Sequence, residues 1–232
     1  HIVKLKKPSE IRVEPRCEHF TICGGCRWQH LPYEFQIKCK QQQVYDALTR
    51  IAHVPFPEIT PIIGSKQIWE YRNKMEYTFS NKCWLTYEQL NSGLEFPDRD
   101  AAGFHIPGAF DKVLDIKKCH LQDDLSNRLR LFIKNFGKEH SYSFYDIRAC
   151  QGFLRTLMIR IATTGEIMAV MVFGENDSEK IKTLLDAVRS EFPQITSLLY
   201  VINTKVNDTI ADQEILLHSG KMYIEEEMDG LR

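Results

Sequence analysis

The spacing of hydrophobic and polar positions predicts a chain built from several strands and three longer helices. Alternating or continuous apolar runs predict strands at 71–79, 112–116, 154–161, 167–173 and 197–203, and a last hairpin made of 209–218 and 222–226. Helical spacing predicts one helix opened by Pro32, one running from Asp123 to a C-terminal stop at Gly137, and one capped by Asp177 or Ser178. The polar segment 90–104 is predicted as a loop. We therefore expect an α+β fold, with a largely antiparallel sheet and flanking helices.

The strand predicted at 71–79 has two different faces. One face is apolar, whereas the other carries Arg72 and Lys74, which point the same way. An ordinary solvated strand face explains this pattern as well as a pair of phosphate contacts does. We keep both cations as candidate RNA-binding residues.

A short proline-rich stretch, Val54 to Pro57 with Pro61 following, separates the amino-terminal part of the chain from this body. The helix opened by Pro32 precedes the stretch and carries an apolar stripe that includes Val44 and Ile51. These features predict an amino-terminal segment, residues 15–53, and a central α+β domain, residues 54–232.

Three cysteines lie within ten residues near the start of the chain, at Cys17, Cys23 and Cys26. Gly24 and Gly25 separate the last two, so the backbone can curl tightly and direct both flanking thiols at one centre. Three thiolates leave a tetrahedral zinc ion or a cubane iron–sulfur cluster one ligand short. We expect Cys119 to supply the fourth.

Disulfides and zinc are the alternatives to an iron–sulfur cluster. Seven cysteines form an odd set in a chain with no secretory pattern, which argues against a disulfide framework and favours a reducing cytoplasm. Structural zinc sites usually present two short Cys or His pairs, whereas this chain has one Cys-x-x-Cys. The spacing favours a [4Fe-4S] cluster over zinc but leaves zinc open.

The net charge of −1 conceals a gradient along the chain. Residues 1–50 contain nine Lys/Arg against five Asp/Glu, and residues 208–232 contain two against seven. A polyanion would favour the first of these regions, where Arg27 and Lys38 are further candidate RNA contacts. No apolar run is long enough to span a bilayer, so we expect no membrane association. The sequence has no phosphate-binding glycine loop, nucleophile elbow or zinc-protease motif, and we assign no catalytic residue.

An ordered set of motifs closely resembles the [4Fe-4S]-containing, S-adenosylmethionine-dependent RNA (uracil-5-)-methyltransferases that modify 23S ribosomal RNA. The resemblance covers nearly the whole chain, and its motifs are Cys17, Cys23-Gly-Gly-Cys26, Trp28-Gln29, Tyr33, Tyr71-Arg72-Asn73-Lys74, Gly103-Phe104, Asp115-Ile116 before Cys119, and Val201-Ile202-Asn203. It implies that Cys17, Cys23, Cys26 and Cys119 hold the cluster, and that ribosomal RNA is the partner.

The resemblance also implies parts of the family that this sequence does not match. Residues 1–14 resemble only the last strand of an amino-terminal TRAM-type barrel, and the Rossmann-like domain that binds S-adenosylmethionine and carries the catalytic residues would follow residue 232. We therefore expect the cluster-binding and RNA-binding portion of a cytoplasmic, monomeric methyltransferase, inactive by itself. The alternatives are a non-catalytic zinc module that binds RNA or protein, and a redox-active electron-transfer domain, against which the resemblance argues.

Overall fold

The structure, a computed structural model, describes residues 6–232 and divides into two compact units. One unit runs to Trp69, and the second covers Glu70–Arg232. The barrel strand expected within residues 1–14 falls partly on residues 1–5, which lie outside the described residues, and residues 6–14 contain no strand. The domain limits expected from the sequence, at 14 and 53, stay predictions. Within residues 6–232 we find no helix with the length and apolarity that a membrane span requires.

The first unit contains one long helix, α1 (Tyr33–Asp46), which passes into a π-helical turn at Ala47–Ala52. The predicted helix is confirmed, and Pro32 is its N-cap, where a missing N–H removes no helical hydrogen bond. The predicted apolar stripe is not buried, since Val44 is 52% and Ile51 80% exposed. Described residues 53–69 of this unit form neither helix nor strand that could cover it.

The second unit is built on one seven-stranded sheet whose spatial order is β3-β2-β1-β4-β5-β6-β7. Its strands are β1 (Lys74–Ser80), β2 (Ala101–Ile106), β3 (Ala109–Asp115), β4 (Leu154–Ile161), β5 (Ile167–Phe173), β6 (Ser197–Ile202) and β7 (Leu216–Gly220). Neighbouring strands are antiparallel except β5 and β6, which are parallel. The helices are α2 (Tyr87–Leu90), α3 (Asp124–Glu139) and α4 (Ser178–Glu191). The largely antiparallel α+β fold is confirmed.

The main core of this unit lies between one face of the sheet and its two long helices. The fully buried residues include Tyr77 and Phe79 from β1 and Leu157 and Ile159 from β4, and α3 contacts both strands. Burying an aliphatic or aromatic side chain of this size stabilises the fold by about 1.5–3 kcal/mol. The alternation predicted for β1 is therefore confirmed, although the strand begins at Lys74, so Arg72 lies before it.

The opposite face of the sheet changes character from one side to the other. On β5 and β6 it carries Val170, Val172, Leu199 and Val201, which are buried and packed against Ile210. On β1 and β4 it carries partly exposed polar side chains. We call the β1 and β4 part of this face, together with the adjoining end of β2, the open face.

Two expectations about element ends are wrong. The predicted hairpin of 209–218 and 222–226 is absent from these described segments, because β7 pairs with β6 and residues 222–226 form no strand. Gly137 does not end its helix, which continues to Glu139. A Cβ on Gly137 would lie 2.5 Å from Leu154 Cδ1, so the glycine allows α3 to approach β4 closely.

Candidate cysteine centre and nucleic-acid interface

The cysteine segment of the first unit folds as a series of tight turns. The Cys23 N–H donates to the His19 carbonyl at 3.0 Å, and Gly24 has a φ of 75°. That left-handed conformation suits glycine and turns the chain between Cys23 and Cys26 as the sequence predicts. The Gln29 side chain closes the segment by accepting the Cys17 N–H at 3.1 Å.

The three thiols of this segment lie within range of one another's charge. Burial raises the pKa of Cys17 and of Cys23, and Cys26 raises both further. Backbone N–H groups oppose the rise, from His19 at Cys17 and from Gly25 at Cys23. The pKa of both thiols is raised overall, so their surroundings favour the protonated form, and a bound metal would have to displace these protons.

The described residues do not arrange these thiols as a finished metal site. No group of three or more His, Cys, Asp or Glu side chains among residues 6–232 has an arrangement that could hold a metal ion. All seven cysteines lie in the described range, and none is in a disulfide. The chemistry of the donors, three half-buried thiols with no disulfide partner, nevertheless fits a thiolate-bound group.

In the second unit, the backbone of Cys119 is held by a side chain of α3. The Cys119 N–H donates to Asn127 Oδ1 at 2.8 Å, and Asn127 Nδ2 donates to the Cys119 carbonyl at 2.9 Å. Asn127 is only 3% exposed, so these bonds are shielded from water. They fix the backbone at Cys119 relative to the first turns of α3.

A buried arginine of α3 lies near Cys119. Arg130 is fully buried and donates to the carbonyls of Ala102 at 2.9 Å and Lys117 at 3.1 Å. Burial lowers the pKa of Arg130, and the nearby Cys119 charge raises it by a smaller amount. Sequence spacing indicated Cys119, but nothing in it indicated Asn127 or Arg130.

The four candidate RNA contacts are divided between the two units. Arg27 and Lys38 are exposed in the first unit. Arg72 is exposed in the second, and Lys74 is partly exposed and paired with Glu76. Exposure makes all four available to a ligand, but it does not distinguish phosphate contacts from solvated cations.

The open face contains a cavity of about 230 Å³ that sequence reasoning missed. Its polar lining comes from Glu76, Thr78, His105, Thr156 and Asp208, and Thr78 Oγ1 lies 3.2 Å from His105 Nε2. Its apolar lining comes from Phe104, Met158, Val172 and Ile210. Apolar side chains beside converging polar groups are the features by which ligand pockets fix and orient what they bind.

One wall of this cavity is held by Arg155, which is 1% exposed. Its guanidinium donates to the carbonyls of Asn203 and Lys205 at 2.7 Å and of Asn207 at 2.8 Å, and it pairs with Asp208 at 2.8 Å. Strand alternation did not reveal this role, because the register between β4 and β5 shifts between Leu154 and Thr156, at Arg155. The segment 203–208 is thereby fixed to the sheet.

Comparison with known proteins points to one class of enzyme. An uncharacterized RNA methyltransferase of Porphyromonas gingivalis is 55% identical over all of this chain and 51% of its own length. Another, from Bacteroides thetaiotaomicron, is 49% identical over 99% of the chain and 51% of its own length. A third, from Chlorobaculum tepidum, is 32% identical over 99% and 48%. The chain thus spans about half the length of the curated relatives it matches, and no protein-family model matches it.

A solved structure shares the fold. The Pyrococcus abyssi tRNA (uracil-54, C5)-methyltransferase, crystallised with S-adenosyl-L-homocysteine, superposes with a TM-score of 0.64 at 24% identity. The match covers 97% of this chain and 46% of that one. The two chains therefore have the same fold over nearly all of the present sequence.

Proposed function

We propose that this chain is the substrate-holding part of an S-adenosylmethionine-dependent RNA (uracil-5-)-methyltransferase. The observation that carries the proposal is the identity of 49–55% with two proteins named RNA methyltransferases, extending over essentially the whole chain. Methylation at uracil C5 is supported by the motif resemblance and by the activity of the Pyrococcus abyssi enzyme that shares the fold. Ribosomal RNA as the substrate is supported by the motif resemblance alone.

Methyl transfer in this proposal divides between this chain and the rest of the protein. S-adenosylmethionine supplies the methyl group, and we assign neither its binding site nor a catalytic residue to these 232 residues. The relatives are about twice as long, which leaves room for a separate catalytic part. On this view the present chain is inactive by itself, and the whole protein acts as a cytoplasmic monomer.

The role we propose for this chain is to grip RNA while a base is removed from its stack. Extruding a base costs a few kcal/mol, which must be offset by contacts to the opened RNA. Arg27, Lys38, Arg72 and Lys74 are exposed cations that suit phosphate. Replacing Arg72 and Lys74 with alanine together should weaken RNA binding and make it less sensitive to salt. Unchanged affinity and salt dependence would remove both residues from the interface.

We propose further that Cys17, Cys23, Cys26 and Cys119 hold a [4Fe-4S] cluster with a structural role. The support is the cysteine spacing, the half-buried thiols of the first segment and the backbone of Cys119, which Asn127 holds by two hydrogen bonds. When bound, the cluster would tie these segments together through iron–thiolate bonds. Replacing Cys119 with serine should then raise hydrogen exchange and protease sensitivity in residues 6–50, which unchanged exchange would contradict.

Iron and acid-labile sulfide, measured on anaerobically purified full-length protein, test the cluster directly. Four irons and four sulfides per chain, with a brown chromophore, are expected. Stoichiometric zinc without sulfide would contradict the cluster and support the zinc module.

The methyltransferase proposal is tested separately, by incubating the full-length protein with methyl-labelled S-adenosylmethionine and unmodified ribosomal and transfer RNA. Label in 5-methyluridine is expected, and label in another nucleoside, or in none, would overturn it.

A further inference from the structure

Two cations face each other across neighbouring strands of the open face. Lys74 of β1 is the register partner of Arg160 of β4. Arg160 is exposed and makes no ion pair within residues 6–232, whereas Lys74 pairs with Glu76. Like charges directly opposite each other destabilise a sheet. A bound anion between them would reverse that repulsion.

The cavity lies farther along the same two strands. Thr78 and Thr156, which line it, are also register partners, four residues from Lys74 and Arg160 respectively. At about 3.3 Å per residue, the two cations are roughly 13 Å from the paired threonines. The distance along the face is short enough for one segment of an extended polynucleotide to reach both.

The cavity is suited to a base and unsuited to a phosphate. Its volume of about 230 Å³ is below the roughly 300–1,000 Å³ typical of sites for larger ligands, so it fits a group the size of one base. Met158 and Ile210 provide an apolar wall, and Thr78 and His105 provide hydrogen-bonding groups. The carboxylates of Glu76 and Asp208 would repel a phosphate and accept hydrogen bonds from the N–H groups of a base.

We propose that the open face binds single-stranded RNA, with one unstacked base in this cavity and a backbone phosphate farther along the same RNA strand at Lys74 and Arg160. The proposal rests on the RNA methyltransferase function and adds Arg160, Thr78 and the cavity to it. Opened RNA is commonly held by hydrogen bonds to the edges of its unstacked bases and by cations beside them. The cations supply affinity for any sequence, whereas the cavity requires that a base be free of its partner.

The phosphate half of the proposal is tested by salt dependence. A labelled single-stranded RNA oligonucleotide of mixed sequence is titrated with the full-length protein, and anisotropy is followed at several salt concentrations. Arg160→Gln should weaken binding and lower the slope of log K against log salt by about 0.7, and Lys74→Gln with Arg160→Gln by about 1.4. Arg189→Gln is the matched control, because Arg189 is an exposed arginine on α4.

The base half is tested by Thr78→Val, which keeps a β-branched side chain of the same size but removes the hydroxyl that lines the cavity. Losing one hydrogen bond to the base should weaken single-strand binding about 2- to 12-fold without changing the salt slope. Binding to a fully paired duplex should change little, because a paired base cannot enter the cavity. Circular dichroism and thermal unfolding of each variant establish that it is folded.

The outcomes separate this proposal from the proposed function. If Arg160→Gln matches Arg189→Gln, and Thr78→Val matches the unaltered protein, the open face is not the RNA site, even if uracil methylation is retained. If the unaltered protein methylates no RNA, the methyltransferase proposal fails, while the same titrations still decide whether this face binds RNA. Loss of the predicted slope together with loss of the single-strand preference supports the proposal.

Discussion

Replacing Arg155 with methionine removes the guanidinium contacts that tie segment 203–208 to β4 while keeping a long side chain in the core. The Arg155 side chain is 2% exposed, so water cannot replace its contacts from the β4 side. Three of its partners are the carbonyls of Asn203, Lys205 and Asn207, at 2.7–2.8 Å. The Val206 carbonyl accepts a longer bond at 3.4 Å, and the fifth partner, Asp208, has a side chain that is 69% exposed.

The size of the effect follows from the burial of each partner. Asn203 is fully buried, so its carbonyl loses a bond to a charged donor that contributes about 1.5–3 kcal/mol. The carbonyls of Lys205 and Asn207 are nearer the surface and recover part of their loss from water, which leaves about 0.5–1.5 kcal/mol each. The exposed ion pair with Asp208 adds little. We expect Arg155→Met to lower the free energy of unfolding by about 3–5 kcal/mol.

Hydrogen exchange of the full-length protein measures this change where it should occur. Amides of Leu199 and Val201, in β6, should exchange roughly 100- to 4,000-fold faster, since each 1.4 kcal/mol is a factor of ten. Arg160→Met is the matched control, an arginine of the same strand that is exposed, and it should change exchange little. A change below about fivefold for Arg155→Met, or an equal change for both variants, would refute the reasoning.

Three further predictions concern α3 and α4. Asn127→Ala should destabilise the protein by about 1–3 kcal/mol and speed iron release to a chelator, because the Cys119 backbone loses both bonds; unchanged release would contradict this role. Gly137→Ala should lower the temperature midpoint of unfolding, because the added Cβ would lie 2.5 Å from Leu154 Cδ1. Overpacking costs about 1–3 kcal/mol, which exceeds the gain of about 1 kcal/mol in helix propensity, and a raised midpoint would contradict this. A backbone N–H in the first turn of α4 lowers the pKa of Asp177 in the folded protein. The charged carboxylate therefore stabilises the fold fully at pH values above the unfolded-state pKa of about 3.9, and this contribution is lost as pH falls through the pKa of the folded state. Asp177→Asn should therefore be less stable than the unaltered protein at pH 7 and equal to it near pH 2, and a difference that persists in acid would contradict the assignment.

Regular periodicity explains most of what the sequence predicted correctly. In β1, Met75, Tyr77 and Phe79 are buried in strict alternation because one face of the strand meets α3. The failures occur where tertiary contacts override local pattern. Gly103 was predicted to lie in a loop, but it belongs to β2. A Cβ at this position would lie 2.1 Å from the Leu114 carbonyl oxygen, so the glycine is required by the close approach of β3 and does not mark a loop.

Of the candidate site, only the positions of the cysteines could be predicted from the sequence. The thiols of Cys17, Cys23 and Cys26 were indicated by spacing, and the turn at Gly24 follows from it. The clamp on Cys119 was not predictable, since it depends on how a helix meets a preceding loop. The cavity of the open face was also invisible, because it is formed by strands that are distant in sequence and by a register shift at β4.

The most direct test of the central claim is the nucleoside content of RNA from cells that lack the gene for the full-length protein. Digestion and mass spectrometry should show that 5-methyluridine disappears from one position of one RNA and returns when the gene is restored. A restored copy with Cys119→Ser should return less of it. An unchanged level of 5-methyluridine, with loss of some other modified nucleoside or of none, would contradict the assignment to uracil-5 methylation.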